Sequence, residues 1–379
     1  MDFTYDEEQQ ALREAVRGLV GKTYADFENR RRTVADDPGF DEKLWARLAE
    51  MGILGLPFRE EDGGSGAGPV EVAIVAEEIG RVIAPEPYLT SVVLAGGLVA
   101  AAGSAEQRGE VLGALSAGES VLAFAHNEPG SRWAASASAV SASGEGSDWT
   151  LSGTKEPVVH GVRADLLVVS AALPDGGTGL FLVDPAASGV SRDGYATHDG
   201  GRAARVVLSE APATPLGEGD ASATIAAVLD IARVMACNEA IGAMDVALSA
   251  TTEYLKNRKQ FGVPLNTFQA LNFRAADMYV SLELAKSLTL WATMVLAAGK
   301  PEQMAEAASR AALQVSRAGR HLGQEAIQLH GGIGMTAEYS IGSYTSRLTA
   351  LDHLLGDGDH HLRLLAAAVG DHEEVDPLP

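Results

Sequence analysis

From Ala221 to Asn257 the chain runs without a proline, and Val228, Leu229, Met235, Ile241, Met244 and Leu248 leave apolar surface on nearly every side of the helix that this run predicts. A helix apolar all round has to sit inside a bundle. Prolines at 264 and 301 cut the remainder into further long segments, with Pro301 placed as the first residue of a helix. The first helix ends in Lys256, Arg258 and Lys259, where cations complement the carbonyl end of the helix dipole, and Gly262 lets the chain turn before Pro264. In a chain of net charge -22, three cations this close can hold an anion such as a pyrophosphate. The plain alternative, a solvated helix end, stays open on this stretch alone.

The excess of 51 acidic over 29 basic residues argues against nucleic acid and anionic membranes as partners. With 379 residues, 46% of them hydrophobic, two or three domains with sizeable cores are expected. Residues 1–117 read as a helical domain of four or five elements, with capping boxes at Thr4/Glu7 and Ser104/Gln107. Residues 118–214 carry short Val, Ser, Thr and Leu stretches between turns, including DWTLSG, ADLLVVSA and TGLFLVDP; no helical period intervenes, so a small antiparallel barrel or sandwich is expected. Residues 215–379 return to helix as a bundle. The acidic N-terminus MDFTYDEEQQ lacks the apolar core of a signal peptide, and the bland run Ser91 to Ala105 is short and broken by Gly96 and Gly97. The lone Cys237 excludes an internal disulfide and suits a reducing compartment, so a cytoplasmic location is expected.

GIGMTA at 332–337 has the spacing of a dinucleotide fingerprint, but a helical stretch precedes it where the fingerprint needs a strand, so that reading is rejected. What remains is QLHGGIG, whose glycines can bring backbone amides close to a ligand. In LDHLLGDGDHH, Gly356 and Gly358 break the helix that would align His353 with His360, so a capped, solvated helix start is expected and no metal site.

RKQFGVPLNTFQ, RAADMYVSLELA and IQLHGGIGMTAEY, in this order after a β domain, resemble the acyl-CoA dehydrogenase family, and the likeness covers almost the whole chain. MDFTYDEEQQALREAVRGLV, LWARLAEMGILGLPFREEDGGSG and the SGTK strand at 152–155 resemble the family's first half. TLSGTKEPVVHGVRADLLVVSA, YLKNRKQFGVPLNTFQ and LTALDHLLGDGDHHLRLLA look like the small subunits of heteromeric bacterial enzymes of the pimeloyl-CoA dehydrogenase type. The resemblance implies a helical domain, a central β-barrel and a C-terminal four-helix bundle, in an FAD-dependent enzyme that converts an acyl-CoA thioester to a trans-2-enoyl-CoA in β-oxidation. It implies a tetramer and an electron-transfer flavoprotein as acceptor. By resemblance Arg258, Gln260, Phe261 and Gln269 hold the FAD, and Gln328, Gly331 and Gly332 form a loop that a neighbouring subunit presents to the same FAD.

Two positions where the family carries its catalytic glutamate read Gly356 and Ala232, the latter before Arg233. The family's tryptophan-isoleucine-threonine beside the flavin reads Pro157, Val158, Val159, and the loop before it reads HNEPGSRW. Glu239, two helical turns from Ala232, and Asp357, beside the vacant position, are candidate replacement bases, because a buried unpaired carboxylate has a raised pKa. The plain alternative pairs Glu239 with Arg233 or another buried partner and turns Asp357 to water. Three readings follow: the base-lacking small subunit of a heterotetramer completed by a large subunit, a self-sufficient homotetramer with another base, or a scaffold that binds acyl-CoA without chemistry. Small residues around Ala236 and Ala240 permit a roomy acyl pocket.

Overall fold

A computed structural model describes residues 5–371. Helix α1 (Glu7–Thr23) starts two residues later than a cap at Thr4 would place it: Asp6 is the cap, its side chain accepting from the Gln9 amide while the Gln9 side chain accepts from the Asp6 amide. The box expected at Thr4 rests on a residue outside the described ones. The box at Ser104 and Gln107 forms as expected and opens α6 (Ala105–Ser116). Between them lie α2 (Phe27–Ala35), α3 (Glu42–Glu50), α4 (Pro69–Arg81), a buried π-helical segment (Tyr88–Gly96) and α5 (Gly97–Ala102). The domain thus has more pieces than its periodicity suggests, because the run around Gly96 splits in two.

The middle domain is a barrel of β1 (Leu122–Ala125), β2 (Ser141–Glu145), β3 (Asp148–Val159), β4 (Leu166–Ala172), β5 (Thr178–Val183) and β7 (Arg202–Pro215), with β6 (Val190–Ala196) on the outer edge of β7. Pairing runs β4–β2–β3–β7–β5 and returns to β4, which closes the ring. The strands are not all antiparallel: β1 pairs with β4 in parallel, Leu122 opposite Leu166. The hairpin of β2 and β3 lies between those two strands in sequence, so the chain crosses over before it returns alongside β1. Val140, Leu151, Val169, Phe181, Val206 and Leu208 fill the barrel.

The C-terminal domain is built on α7 (Ser222–Asn257), with α8 (Gln269–Ala297), α9 (Pro301–His330) and α10 (Ile341–Leu354) around it and α11 (Gly358–Ala368) beyond the break at Gly356. Helix α7 crosses α4 at a pair of glycines. A Cβ on Gly80 would lie 1.9 Å from the Glu239 carbonyl oxygen, and one on Gly242 would lie 2.0 Å from that of Glu77. Backbone therefore meets backbone, and the first domain and the bundle share one core. Helix α8 is long and apolar enough by length and composition to cross a membrane. Here it packs Met278, Leu282 and Ala285 into the bundle while Phe273, Tyr279, Val280, Leu284 and Trp291 stay exposed. Ser91 to Ala105 is therefore not the most membrane-like stretch of the chain.

Candidate active site and cofactor-binding segments

Where the barrel meets the N-terminal half of α7, a crevice is lined by Thr90, Asn127, Trp133, Pro157, Val159 and Arg233, among others. Its free volume is about 50 Å³, small beside the ~300–1,000 Å³ of typical ligand pockets. Side chains fill it. Trp133, at a φ of +51°, donates its indole N–H to the His353 carbonyl at 3.0 Å, with its ring 5.4 Å from that of His360. Arg233 reaches across, its Nε donating to the Leu355 carbonyl at 2.9 Å and its Nη1 pairing with Asp230 at 2.5 Å.

Neither of the two positions where the resemblance places a base is an open slot. Ala232 is fully buried. Gly356 sits at a φ of +120°, and a Cβ there would lie 2.7 Å from His360 Cδ2 and 2.8 Å from His361 Nε2. His361 is itself buried, contrary to the solvated start expected for this segment, because α11 folds back on α9 and brings the imidazole to Ser309 Oγ at 3.3 Å. Burial and Arg233 push its pKa down to about 4, so it is neutral. No group of three potential metal ligands comes together among the described residues.

The candidate bases are engaged elsewhere. Glu239 is 2% exposed and meets Arg347, with Nη2 at 2.6 Å and Nε at 2.8 Å, while Arg347 Nη1 holds Asp199 at 2.7 Å. Its partner is thus Arg347 and not Arg233. Burial pushes the Glu239 carboxyl up and Arg347 pulls it back. Asp357 caps α11, accepting from the His360 amide at 2.8 Å.

A buried pair, not anticipated from the sequence, holds the loop that leads to Trp133. Lys155 is fully buried and donates to Glu128, to the His126 carbonyl and to Ser170 at 2.9, 2.9 and 3.2 Å. Burial alone would raise the Glu128 carboxyl, but Lys155 and the amides of Val140, Ala139 and Ser138 outweigh it and hold it at about 2. Burial pushes Lys155 down to about 8. The signal was in plain sight, a lysine in the SGTK strand and a glutamate in HNEP, but only the closed barrel brings them together.

At the far end of α7 the picture reverses. Arg258, Gln260 and Phe261 stand exposed on a hairpin between Lys259–Gln260 and Val263–Pro264, Phe261 at 92%. Gln269 opens α8, and Gln328 lies on the last turn of α9, both exposed. Gly331 adopts a φ of +65° and ψ of -143°, a conformation only glycine takes readily, whereas Gly334 is needed for packing against Ile327. A Cβ on Gly332 would meet nothing within 4 Å, so the backbone there faces open space that a ligand can enter. The Tyr254 and His330 rings lie 4.5 Å apart, so one chain brings the Arg258 hairpin and the Gln328 loop to the same end of its bundle, whereas the resemblance implies that the second comes from a neighbouring subunit. Arg258 follows Arg233 by a helical run that spans about 37 Å at ~1.5 Å per residue. The crevice and the bundle end are therefore two separate regions of one chain.

The donor set at the bundle end fits a pyrophosphate-bearing cofactor: an exposed guanidinium, three exposed amide side chains and open glycine backbone. The barrel face does not fit a flavin, since Pro157 has no N–H to offer, Val159 has no hydroxyl and the crevice is filled. A barrel between two helical domains defines a class by architecture, the three-domain proteins of helix–barrel–helix order, here with a bundle end that fits a pyrophosphate-bearing cofactor. More narrowly, models of the acyl-CoA dehydrogenase N-terminal and C-terminal domains match residues 6–119 and 221–370, and the chain belongs to the acyl-CoA dehydrogenase family. It is 30% identical to the acyl-CoA dehydrogenase FadE27 of Mycobacterium tuberculosis, over 98% of this chain and 99% of that one. Among solved structures it is similar to a variant of the Tcur3481-Tcur3483 steroid ACAD, with a TM-score of 0.88 and 33% identity over 96% of this chain and 98% of the other. It is also similar to the ChsE4-ChsE5 complex of Mycobacterium tuberculosis, with a TM-score of 0.89 and 27% identity over 99% and 100%. The family's cofactor is FAD.

Proposed function

We propose that this chain is the base-lacking small subunit of a heterotetrameric FAD-dependent acyl-CoA dehydrogenase. One observation carries the reading: the base position at Gly356 is sealed by His360 and His361, while the bundle end stands open. Bound FAD supplies the hydride acceptor for forming a trans-2-enoyl-CoA. The residues of this chain bind and orient it. Arg258 offers its guanidinium to the pyrophosphate, Gln260, Gln269 and Gln328 offer amides, and Gly331 and Gly332 let backbone approach. With about 37 Å of helix between Arg258 and Arg233, the FAD gripped at the bundle end has its flavin in another subunit's barrel. That subunit, a large acyl-CoA dehydrogenase chain, brings the carboxylate that takes the proton and the donors that polarise the thioester. Two multi-component neighbours, the ChsE4-ChsE5 complex and the Tcur3481-Tcur3483 steroid ACAD, support the heteromeric reading and a bulky acyl group. An electron-transfer flavoprotein is the acceptor in this reading, and the cytoplasm is the location.

The test is to purify the chain alone and co-expressed with a base-bearing large subunit, then to record flavin content and anaerobic bleaching with acyl-CoA thioesters. Alone the chain is expected to retain no FAD and bleach with none; the complex retains FAD and bleaches, and Arg258→Gln strips its flavin. Retention of FAD near one-to-one by the chain alone, with bleaching, overturns the reading in favour of a homotetramer. Failure of every large subunit to restore bleaching leaves a scaffold.

A further inference from the structure

Where all three domains meet lies a second cavity, of about 240 Å³, separated from the crevice by Thr90, Pro157, Val159 and Leu354, which line both. Ile83, Ala84, Leu89 and Ala350 add apolar wall, and the exposed His198 and His353 stand at the rim. Two polar groups in its wall lack the partners that burial demands. Arg30 is 4% exposed, and its bonds go to the main-chain oxygens of Ile83 at 2.6 Å and Asp199 at 3.4 Å; among the described residues it has no carboxylate. A buried cation without a counter-ion is costly. Glu86 is buried as well: one oxygen accepts from Tyr24 at 2.5 Å and from the Asp41 amide at 3.1 Å, and the other has no partner.

The neighbouring charges do not resolve this. Arg347 is held by Glu239 and Asp199, and His160 is occupied with Thr90 at 2.9 Å. Burial raises the Glu86 carboxyl to about 7, so below neutrality it stands as an acid with a hydrogen to donate and does not cancel Arg30. An apolar cavity of about 150 Å³ accepts benzene, so this one has room for a ring.

We propose that the cavity binds a small ring-bearing monocarboxylate, its carboxylate on Arg30 and Glu86 and its ring against Ile83, Leu89 and Ala350. A thioester of such an acid has no carboxylate to offer Arg30, so the ligand is the free acid, at a site separate from the bundle end. The proposal stands whether or not the chain takes part in dehydrogenation, because it rests on the cavity alone.

Calorimetric titration of the full chain at pH 6 with benzoate, and with benzamide as its neutral isostere, tests it. Benzoate is expected to bind at least about tenfold more tightly than benzamide, since a hydrogen bond to a charged group contributes ~1.5–3 kcal/mol. Arg30→Gln removes that difference. Ala350→Leu, which narrows the cavity where the ring packs and leaves Arg30 in place, weakens binding of both and leaves the melting temperature unchanged or higher. Equal affinity for the two probes, no heat from either, or benzoate affinity that Ala350→Leu leaves unchanged overturns the proposal. Because the last variant does not depend on Arg30, the test stands even if Arg30→Gln does not fold.

Discussion

Arg347→Gln is the substitution that separates a structural ion pair from a catalytic base. The guanidinium joins Glu239 on α7 to Asp199 in the turn between β6 and β7, so removing it leaves two buried carboxylates without a cation. Breaking a buried pair by removing one partner costs ~3–5 kcal/mol. At roughly 2–4 °C per kcal/mol for a large domain, the melting temperature should fall on the order of 10 °C near neutral pH. The pH dependence has a definite sign. Burial would raise Asp199, but Arg347, Thr197 and the Gly201 amide hold it below its ordinary value; the resulting stability is present above the unfolded pKa and is lost as pH falls. The variant lacks the part owed to Arg347, so its deficit should hold from neutral pH down to the ordinary carboxylate range, about pH 4, and shrink below it. Glu239→Gln is the companion: burial has already raised that carboxyl, so losing its charge should cost less than losing Arg347. Turnover per bound flavin in the complex should stay within about threefold of the parent, whereas loss of a general base costs ~10²–10⁴. The assays are thermal melts across pH and flavin-normalised turnover. A Glu239→Gln chain that melts like the parent but loses more than about a hundredfold in turnover refutes the structural role. An Arg347→Gln deficit that grows on acidification refutes the electrostatics.

Lys155→Met should destabilise the chain by ~3 kcal/mol, at the low end for a buried pair, because Glu128 keeps its bonds to the amides of Ser138, Ala139 and Val140. Glu128 is held at about 2, so its contribution is present above its unfolded pKa and lost as pH falls toward 2; acid-denaturation curves of the variant should show a shallower loss over that window. Gly356→Glu should lower the melting temperature and restore no bleaching, since the new Cβ meets His360 and His361 at a backbone angle that costs ~1–3 kcal/mol for a non-glycine residue. Recovery of bleaching in the isolated Gly356→Glu chain would show that the slot is merely empty. Gly80→Ala should sharply reduce soluble yield, because its methyl falls on the Glu239 carbonyl where α4 and α7 touch.

The large architecture was legible because it rests on patterns local to the chain. The proline-free run gave α7, Pro301 gave the start of α9, and the alternation of short apolar stretches with turns gave the barrel. The exposed bundle end was legible for the same reason, since Arg258 and the QLHGGIG glycines sit at helix ends that sequence marks directly. Contacts between distant segments were not. Arg347 follows Glu239 by more than a hundred residues, and nothing local distinguishes it from Arg233 as the partner. The parallel pairing of β1 with β4 likewise depends on closure of the ring.

The glycine at the position where the resemblance places a base shows the same limit from the other side. Counting residues places a glycine at 356, and glycine cannot accept a proton; the inference ends there, with a missing side chain that a substitution could restore. The structure adds that the space has been reassigned. A Cβ at 356 would crowd His360 and His361, Trp133 closes the crevice through the His353 carbonyl, and Arg233 reaches Leu355 on the same break between α10 and α11. These contacts involve the barrel loop, α7 and the break before α11 at once. One reversion cannot undo them, because restoring a carboxylate leaves the indole and the guanidinium across the crevice. A chain that had lost only its base would keep an open crevice. Here the barrel face is closed while the bundle end remains exposed, and that asymmetry favours a subunit whose role is to complete another chain's site.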